Sequence, residues 1–416
     1  MAAGENEENQ PQSALTPKLQ KVIFLLRDNK NFSKYYEPRV VSLGPIHHGK
    51  ERYRLGETYK LKLTKDFVTE SCENVNIDDL YKKIEQQIEE LRECFEEEVT
   101  KPYDNGALAW ILFVDGCAVL QYIYYAVNNK FKEKNIKDDS VTFFQQDLFL
   151  LENQLPYCLL KSLMSLSKMR EEFMSSIQNF IKRNHNMVLE GGQQLSGNGE
   201  GSGPQPQTHL LDLLRTSLLG PPGRQTQTEN VQENRTKDPE WQSYRNLQEL
   251  KAAGIIVERS CIKTDDSTGP KFLNMIAYEM CPDFYNDFGI TSYISFLDSL
   301  IKEDGDVKDL RKARVLCNVL GNDQEVAHLF NEMGTDLVPD LEAYKDVKYK
   351  IQECYDHGAW RRFTIEFFNH HFRTSWTGIA SLGALFVLFL EVTQTWFTVF
   401  SPDHCDDFCK KFTQNL

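Results

Sequence analysis

The sequence has 416 residues, of which 41% are hydrophobic and 26% are charged, a composition typical of globular proteins. Its 61 acidic and 47 basic residues give a formal net charge of −14, which argues against nucleic-acid binding because phosphate contact requires clustered lysine and arginine. The mean hydropathy of −0.48 excludes a polytopic membrane protein but leaves room for one spanning helix.

The chain begins with a polar stretch over residues 1–20, which lacks the basic region and the apolar core of a secretory signal. We expect a disordered leader there, followed by one large helical domain over residues 21–375. Gly-, Ser- and Gln-rich segments near 190–208 and 220–240 predict flexible insertions within this domain.

The clearest helical pattern runs from Ile77 to Val99, where apolar residues recur every three or four positions. Seven glutamates from Glu85 to Glu98 cover the remaining faces. We interpret them as a solvated surface, with an acidic partner-binding face as the alternative.

The stretch Leu108–Val127 is apolar on nearly every side, which predicts a buried helix interrupted at Asp115 and Gly116. A lone buried carboxylate must be hydrogen-bonded or neutral, so we expect Asp115 to bridge to a second helix or cap one rather than to catalyse. The apolar stretch Phe143–Leu166 predicts further helix, with Pro156 starting a new one.

Its polar residues Asp147, Glu152 and Asn153 are expected to tie helix ends together. Further predicted elements are a docked apolar helix at His209–Leu219, helices at Tyr244–Ala253, Lys271–Met280, Tyr293–Ile301, Val307–Leu320 and Gln324–Met333, and a strand at Ile255–Val257. Asn322 is the predicted N-cap of the last of these helices. The fold class predicted is therefore mainly α, with minor short strands.

The segment 376–400 is apolar except for Glu391, and 25 helical residues span about 37 Å, enough to cross a bilayer. The cost of Glu391 at mid-bilayer, about 3 kcal/mol, roughly balances the gain from its apolar neighbours. We predict a single transmembrane helix followed by a short polar tail (401–416), with the N-terminal domain in the cytoplasm. The alternative is a buried core helix.

Eight of the ten cysteines are scattered without disulfide or zinc-ligand spacing, so we expect reduced thiols. Cys405 and Cys409 lie four positions apart beyond the predicted span, where a disulfide between them would require an oxidising compartment. The sequence contains no zinc-protease, dinucleotide, P-loop or hydrolase motif. We therefore assign no catalytic, cofactor-binding or metal-binding residues and expect no cofactor.

Six short segments occur in a distinctive order and spacing. They are Pro38–Gly49, Asp115–Cys117, Asp147–Pro156, Leu211–Arg215, Glu249–Ile255 and Asn274–Glu279. Together they resemble the plant family called domain of unknown function 247, from about residue 21 to residue 400. The candidate residues within them, structural or functional, are Gly44, Pro45, His47, His48, Gly49, Asp115, Gly116, Cys117, Glu152, Asn153, Gln154, Pro156, Tyr278 and Glu279.

The resemblance implies a plant protein with a helical domain and one C-terminal membrane helix, in a family without an established reaction. Some members are associated with pollen–stigma self-incompatibility in grasses, which would imply recognition. Our hypothesis is a membrane-anchored recognition or signalling-adaptor protein with an unknown protein partner. The alternative is an enzyme of unfamiliar type, which would bring His47, His48, Asp115, Glu152 and Asn153 together at an open cleft.

Overall fold

The computed structural model describes residues 17–71, 77–134, 138–189, 207–220, 246–252, 255, 262–284, 287–340, 343–357 and 375–399. By internal contacts the chain divides into two compact units, one comprising residues 1–248 and 257–348 and the other residues 249–256 and 349–416.

The fold is mainly α, as predicted. The helices of the N-terminal half are α1 (Phe24–Arg27), α2 (Phe32–Tyr35), α3 (Arg54–Ser71), α4 (Ile77–Gln86), α5 (Ile88–Glu93), α6 (Glu97–Thr100), α7 (Asn105–Asn128), α8 (Asp138–Asp147), α9 (Tyr157–Ser165) and α10 (Arg170–Val188). Those that follow are α11 (Leu210–Leu219), α12 (Leu247–Ala252), α13 (Thr268–Glu279), α14 (Gly289–Leu300), α15 (Asp304–Lys312), α16 (Asp323–Met333), α17 (Lys345–His357) and α18 (Ser375–Val399). Short 3₁₀ turns lie at Glu51–Tyr53, Lys132–Lys134 and Leu151–Asn153.

Helix α7 is the centre of the first unit, and α3, α4, α9 and α10 pack around it. It is long and apolar enough to cross a membrane, but most of its apolar stretch is buried within the fold. Asp104 caps its start by accepting a hydrogen bond from the amide of Ala107, and Asn129 ends it in the left-handed conformation. The predicted interruption at Asp115 and Gly116 is wrong, since α7 continues through both residues. A Cβ at Gly116 would lie 2.5 Å from Leu163 of α9. Glycine thus permits the close approach of α7 and α9.

The predicted continuous helix over Ile77–Val99 is divided into α4, α5 and α6. Gln87 leaves the helical conformation, and Phe95 forms a bridge with Leu19. The amide of Leu19 donates to the carbonyl of Cys94, and that of Glu96 donates to the carbonyl of Leu19. These bonds to a distant segment replace helical ones. They also place residues 17–20, assigned to the leader by sequence, within the fold.

Two short parallel strands, β1 (Ile262–Thr264) and β2 (Leu316–Asn318), form a sheet in register from Ile262 with Leu316 to Thr264 with Asn318. The predicted helix over Val307–Leu320 is wrong at its C-terminal end, because Arg314 adopts a positive φ of 58° and the chain then joins β1. Of the strand predicted over residues 255–257, only Ile255 is described, and it is not in a strand. The N-cap at Asn322 is confirmed, since its side chain accepts a hydrogen bond from the amide of Glu325.

The apolar helix α11 docks through Leu210, Leu211, Leu214 and Leu218, as expected. Most of the two predicted insertions (190–206 and 221–240) and the tail (401–416) lie outside the described residues, whereas Thr208 is part of the fold and accepts a hydrogen bond from the amide of Tyr157. The expectation of reduced thiols fails at Cys317 of β2, which is disulfide-bonded.

Helix α18 lies within one residue of the predicted span at each end. Its side chains are described from Gly383 onward, and the large apolar ones are exposed around the helix rather than along one face. Among the described residues, α18 has the longest run of exposed large apolar side chains.

Candidate functional site

Residues 38–49, here called the strap, form an irregular segment held by side chains from several helices. Its first anchor is Asp147 at the end of α8, whose carboxylate accepts hydrogen bonds of 2.8–2.9 Å from the amides of Arg39, Val40 and Val41. Burial raises the pKa of Asp147 to about 6, opposed by these three backbone donors. An acidic side chain here satisfies three successive amides that belong to no helix or sheet.

Asn153 and Gln154, in the turn before α9, provide the second anchor. Asn153 Oδ1 accepts from the amide of Leu43 at 2.6 Å, and its Nδ2 donates to the carbonyls of Val41 and Asp147. Gln154 donates to two carbonyls of its own turn and accepts from the amide of Leu211 at 3.0 Å. The side chain of Asn153 therefore joins the strap to the end of α8, and that of Gln154 joins the turn before α9 to α11.

The third anchor is Asp115, in the middle of α7. One carboxylate oxygen accepts from the amide of Gly44 at 2.8 Å, and the other lies 2.6 Å from Lys60 Nζ of α3. Gly44 has a φ of +66°, and a Cβ there would lie 3.3 Å from the carbonyl oxygen of Gln154. The position therefore favours glycine for both conformation and space.

Lys60 is fully buried, and its ammonium group is completely partnered. It lies 2.6 Å from Asp115 and 2.7 Å from Glu57, and it donates to the carbonyl of Ser42 at 2.7 Å. Burial raises the pKa of Asp115, and the positive charge of Lys60 opposes this increase. Burial alone would lower the pKa of Lys60, but the carboxylates of Asp115 and Glu57 have the larger combined effect, so the pKa of Lys60 is raised. The pair bridges α7 to α3, as expected for Asp115.

Glu152 forms the fourth anchor, at a point close to the surface. Its carboxylate accepts from the amide of Val22 at 2.8 Å and from the guanidinium of Arg27, while His47 Nε2 lies 2.9 Å away without hydrogen-bond alignment. The ammonium group of Lys50 can only donate, and it lies 2.7 Å from His47 Nδ1. This contact places the ring proton on Nε2, the nitrogen that faces Glu152.

The other candidate residues of the strap have separate roles. The carbonyl of Pro45 accepts from the hydroxyl of Tyr103 at 2.9 Å, and the ring of His48 packs edge-on against Tyr103. Gly49, with a φ of +79°, ends the strap with open space around it. Cys117 is buried on α7, and Pro156 is the residue that precedes α9.

Tyr278 and Glu279 belong to a second cluster, centred on α13. Glu279 is buried and accepts hydrogen bonds from Arg215 of α11 at 2.8 Å and from the amides of Ile290 and Thr291 of α14 at 2.9 and 2.8 Å. Burial raises the pKa of Glu279, opposed by the guanidinium. The hydroxyl of Tyr278 lies 3.0 Å from Thr208 Oγ1. This cluster joins three helices.

Sequence reasoning missed Lys60 and Arg215, the basic residues that complete these networks, although each lies on the apolar face of its helix. Lys60, Leu63 and Phe67 share one face of α3, and all three are buried, so the lysine lies on an apolar stripe. Arg215 likewise follows Leu211 on the buried face of α11. A cation on an apolar stripe requires an anionic partner, and each has one.

Chemically, the networks satisfy backbone groups and pair buried charges. Of the five residues named for an enzymatic cleft, Asp115, Glu152, Asn153 and His47 are buried. Backbone amides donate to a side-chain oxygen of Asp115, of Glu152 and of Asn153. Among the described residues, no group of three or more His, Cys, Asp or Glu side chains is arranged to hold a metal ion.

The comparisons with known proteins agree with the motifs. The model of the family DUF247, plant protein of unknown function, matches residues 19–261 and 256–390. The chain is 26% identical to the UPF0481 protein At3g47200 of Arabidopsis thaliana, over 88% of this chain and 83% of that protein. It is 27% identical to a further UPF0481 protein of that plant, At3g02645, over 34% of this chain and 26% of that protein. No solved structure matches the chain. Because the family model covers nearly the whole chain, this protein belongs to the plant family DUF247.

Proposed function

We propose that this protein is a membrane-anchored recognition or signalling-adaptor protein, in which the helical domain binds a protein partner and α18 holds it at a membrane. Recognition of the self-incompatibility type is the more specific form of this proposal. The observation that carries it is the use of the family-motif side chains. They are directed inward, where they fix the strap to α3, α7, α8 and the turn before α9, so they maintain a shape instead of presenting reactive groups.

The surface offers a binding face of defined charge. All seven glutamates from Glu85 to Glu98 are exposed along α4, α5, α6 and the residues between them. The buried side of the same segment, including Ile84 and Leu91, fixes these helices on the domain. A rigid, strongly acidic face fits a partner with a basic surface, because complementary charge accelerates and orients association.

The membrane part of the proposal rests on α18. A helix of 25 residues reaches about 37 Å, and its large apolar side chains between Leu385 and Val399 are exposed. A helix at the surface of a soluble protein would instead show one apolar stripe. Glu391, at residue 17 of the 25, lies nearer the C-terminal interface, where its insertion costs less than at the centre.

The alternative function, an enzyme of unfamiliar type, draws on the proximity of His47 and Glu152. A histidine facing a carboxylate is an arrangement used for acid–base chemistry. However, Glu152 Oε1 already accepts from the amide of Val22 and from Arg27, and the side chains of His47 and Glu152 are only 3% and 1% exposed, so a substrate cannot reach them. The geometry therefore favours a positioning role for this pair.

Proximity labelling tests the recognition proposal. A promiscuous biotin ligase is fused to the N-terminus of the full chain in plant cells, and biotinylated proteins are compared with those labelled by a ligase carrying residues 375–416 alone. We expect a reproducible set specific to the full chain. Replacing Glu90, Glu93 and Glu97 by glutamine should reduce that set several-fold.

The matched control replaces Glu171 and Glu172, exposed on α10, by glutamine; it should leave the labelled set unchanged. A full-chain set identical to that of the anchor alone would overturn the recognition proposal. The anchor is tested separately by alkaline carbonate washing: the full chain should stay with membranes until detergent is added, and a chain ending at residue 374 should be released. Release of the full chain by carbonate would contradict membrane insertion.

A further inference from the structure

One pair of thiols lies in contact. Cys94 Sγ and Cys158 Sγ are 3.7 Å apart, and neither residue is in a disulfide. Cys158 is exposed, and Cys94 is half-buried. Since a disulfide bond is about 2.05 Å long, a small movement of either side chain would bring the sulfurs to bonding distance.

The two cysteines differ in their surroundings. Cys158 is the second residue of α9, where the backbone amides of Leu159 and of Cys158 itself face its sulfur. The hydrogen bond from Cys94, helped by these amides, lowers the pKa of Cys158 to about 7. The same hydrogen bond raises the pKa of Cys94, which therefore keeps its proton.

We propose that Cys94 and Cys158 form a reversible oxidation site for hydroperoxides, in which Cys158 attacks the peroxide and Cys94 resolves the product. The inference does not rest on the recognition proposal, because it is carried by the contact between the two sulfurs, although Cys94 lies between Glu93 and Glu96 of the acidic face.

The chemistry balances with hydrogen peroxide as the oxidant. The Cys158 thiolate attacks one peroxide oxygen, the O–O bond breaks, and hydroxide leaves while Cys158 becomes a sulfenic acid. The Cys94 sulfur then attacks the Cys158 sulfur, the S–O bond breaks, and water leaves with the proton of Cys94. Two thiols are oxidised by two electrons, and one peroxide becomes two waters. A dithiol reductant reverses the bond by thiol–disulfide exchange.

A Cys94–Cys158 disulfide would connect the residue after α5 to the start of α9. The carbonyl of Cys94 accepts from the amide of Leu19, and Cys158 follows directly after the turn that holds the strap. Oxidation would thus tie the segment that pairs with the N-terminus to the start of α9. Such a link makes the rigidity of this surface dependent on peroxide.

The test uses the full chain in detergent, reduced, freed of reductant and treated with hydrogen peroxide. After blocking with N-ethylmaleimide and digestion, we expect a Cys94–Cys158 linked peptide that dithiothreitol removes. Cys94→Ala should give instead a Cys158 sulfenic acid that dimedone traps. The matched control is Cys354→Ser, which removes another exposed cysteine and should retain the linked peptide.

A second measurement follows alkylation of Cys158 by iodoacetamide against pH. Its rate should be half-maximal near pH 7 in the wild type and move toward about 8.5 in Cys94→Ala, because the hydrogen bond from Cys94 is lost. At pH 7 the wild-type rate should exceed that of an ordinary thiol only by about threefold, since lower basicity also weakens the nucleophile. Recovery of Cys158 as a fully alkylated thiol after peroxide, or its linkage to a different cysteine, would overturn the proposal.

Discussion

Lys60 of α3 and Asp115 of α7 form an ion pair of 2.6 Å in which each side chain is 1% exposed. Removing one charge leaves the other buried without its partner, so we expect Lys60→Met to lower the free energy of unfolding by about 3–5 kcal/mol. Denaturant unfolding of the domain, followed by circular dichroism, measures the change.

The double variant Lys60→Met with Asp115→Leu should recover part of that loss, because the remaining partner of Lys60, Glu57, is 34% exposed and no buried charge is left unpaired. The control is the exposed pair Lys101 and Glu98, 3.3 Å apart, where Lys101→Met should cost less than about 1 kcal/mol. An equal loss in the buried and the exposed pair would contradict the interpretation of Lys60 as the tie between α3 and α7.

His209, the N-cap of α11, should make stability depend on pH. Its Nδ1 accepts from the amide of Asp212 at 3.1 Å, and burial lowers its pKa to about 4. The unfolded chain, with a pKa near 6.5, binds the proton first, so stability should fall by up to about 3 kcal/mol as pH decreases from 6.5 to 4. In His209→Asn, which can still cap the helix, this component should vanish. Parallel wild-type and variant curves over this range would show that His209 is not the cause.

Asp147 should change the pH dependence of stability in the direction opposite to His209. Its folded-state pKa of about 6 lies above the unfolded value near 3.9, so the folded chain holds the proton longer. Its contribution to stability should therefore be largest at low pH and decrease by up to about 3 kcal/mol as pH rises from 4 to 6. Because His209 and Asp147 oppose each other, the wild-type curve alone can be flat. The stability of wild type minus that of Asp147→Asn, measured at pH 4 and pH 7, isolates the effect; a difference that grows with pH would contradict it.

Gly44 and Gly49 both have positive φ, but only Gly44 has close neighbours, so alanine substitutions there distinguish the cost of backbone conformation from the cost of steric contact. Gly44→Ala and Gly49→Ala both place a Cβ at positive φ, which costs about 1–2 kcal/mol. At Gly44 the new Cβ also meets the carbonyl oxygen of Gln154 at 3.3 Å, whereas at Gly49 it meets nothing within 4 Å. We expect the loss of stability in thermal unfolding to be larger for Gly44→Ala. Equal losses would indicate that the strap tolerates the contact.

Sequence alone indicated the long buried helix and the tie role of its carboxylate, because apolar residues surround Asp115 and burial demands a partner. It did not identify Lys60 as that partner, since helical periodicity fixes the faces of α3 and α7 but not their mutual packing. The break of the long amphipathic helix at Phe95 was missed for a similar reason. The hydrogen bonds that replace it come from Leu19, outside any local window.

Strand β2 was assigned to helix because three residues are too few for a periodic signal, and its pairing partner lies far away in sequence. By contrast, the N-cap at Asn322 was predictable because capping is local, with the donor three residues on. Local interactions were therefore accessible from the sequence, and interactions between distant segments were not.

The hydrogen bonds of the N-terminal segment have a consequence for synthesis of the chain on the ribosome. The amides of residues 39–41 bond to an aspartate more than 100 positions downstream, the carbonyl of Tyr35 accepts from Asn274, and Gln20 bonds to Asp283. These partners emerge from the ribosome long after the segment itself, so the segment cannot reach its final place until the downstream helices have been translated. During that interval its amides depend on water, and molecular chaperones have their longest opportunity to bind it.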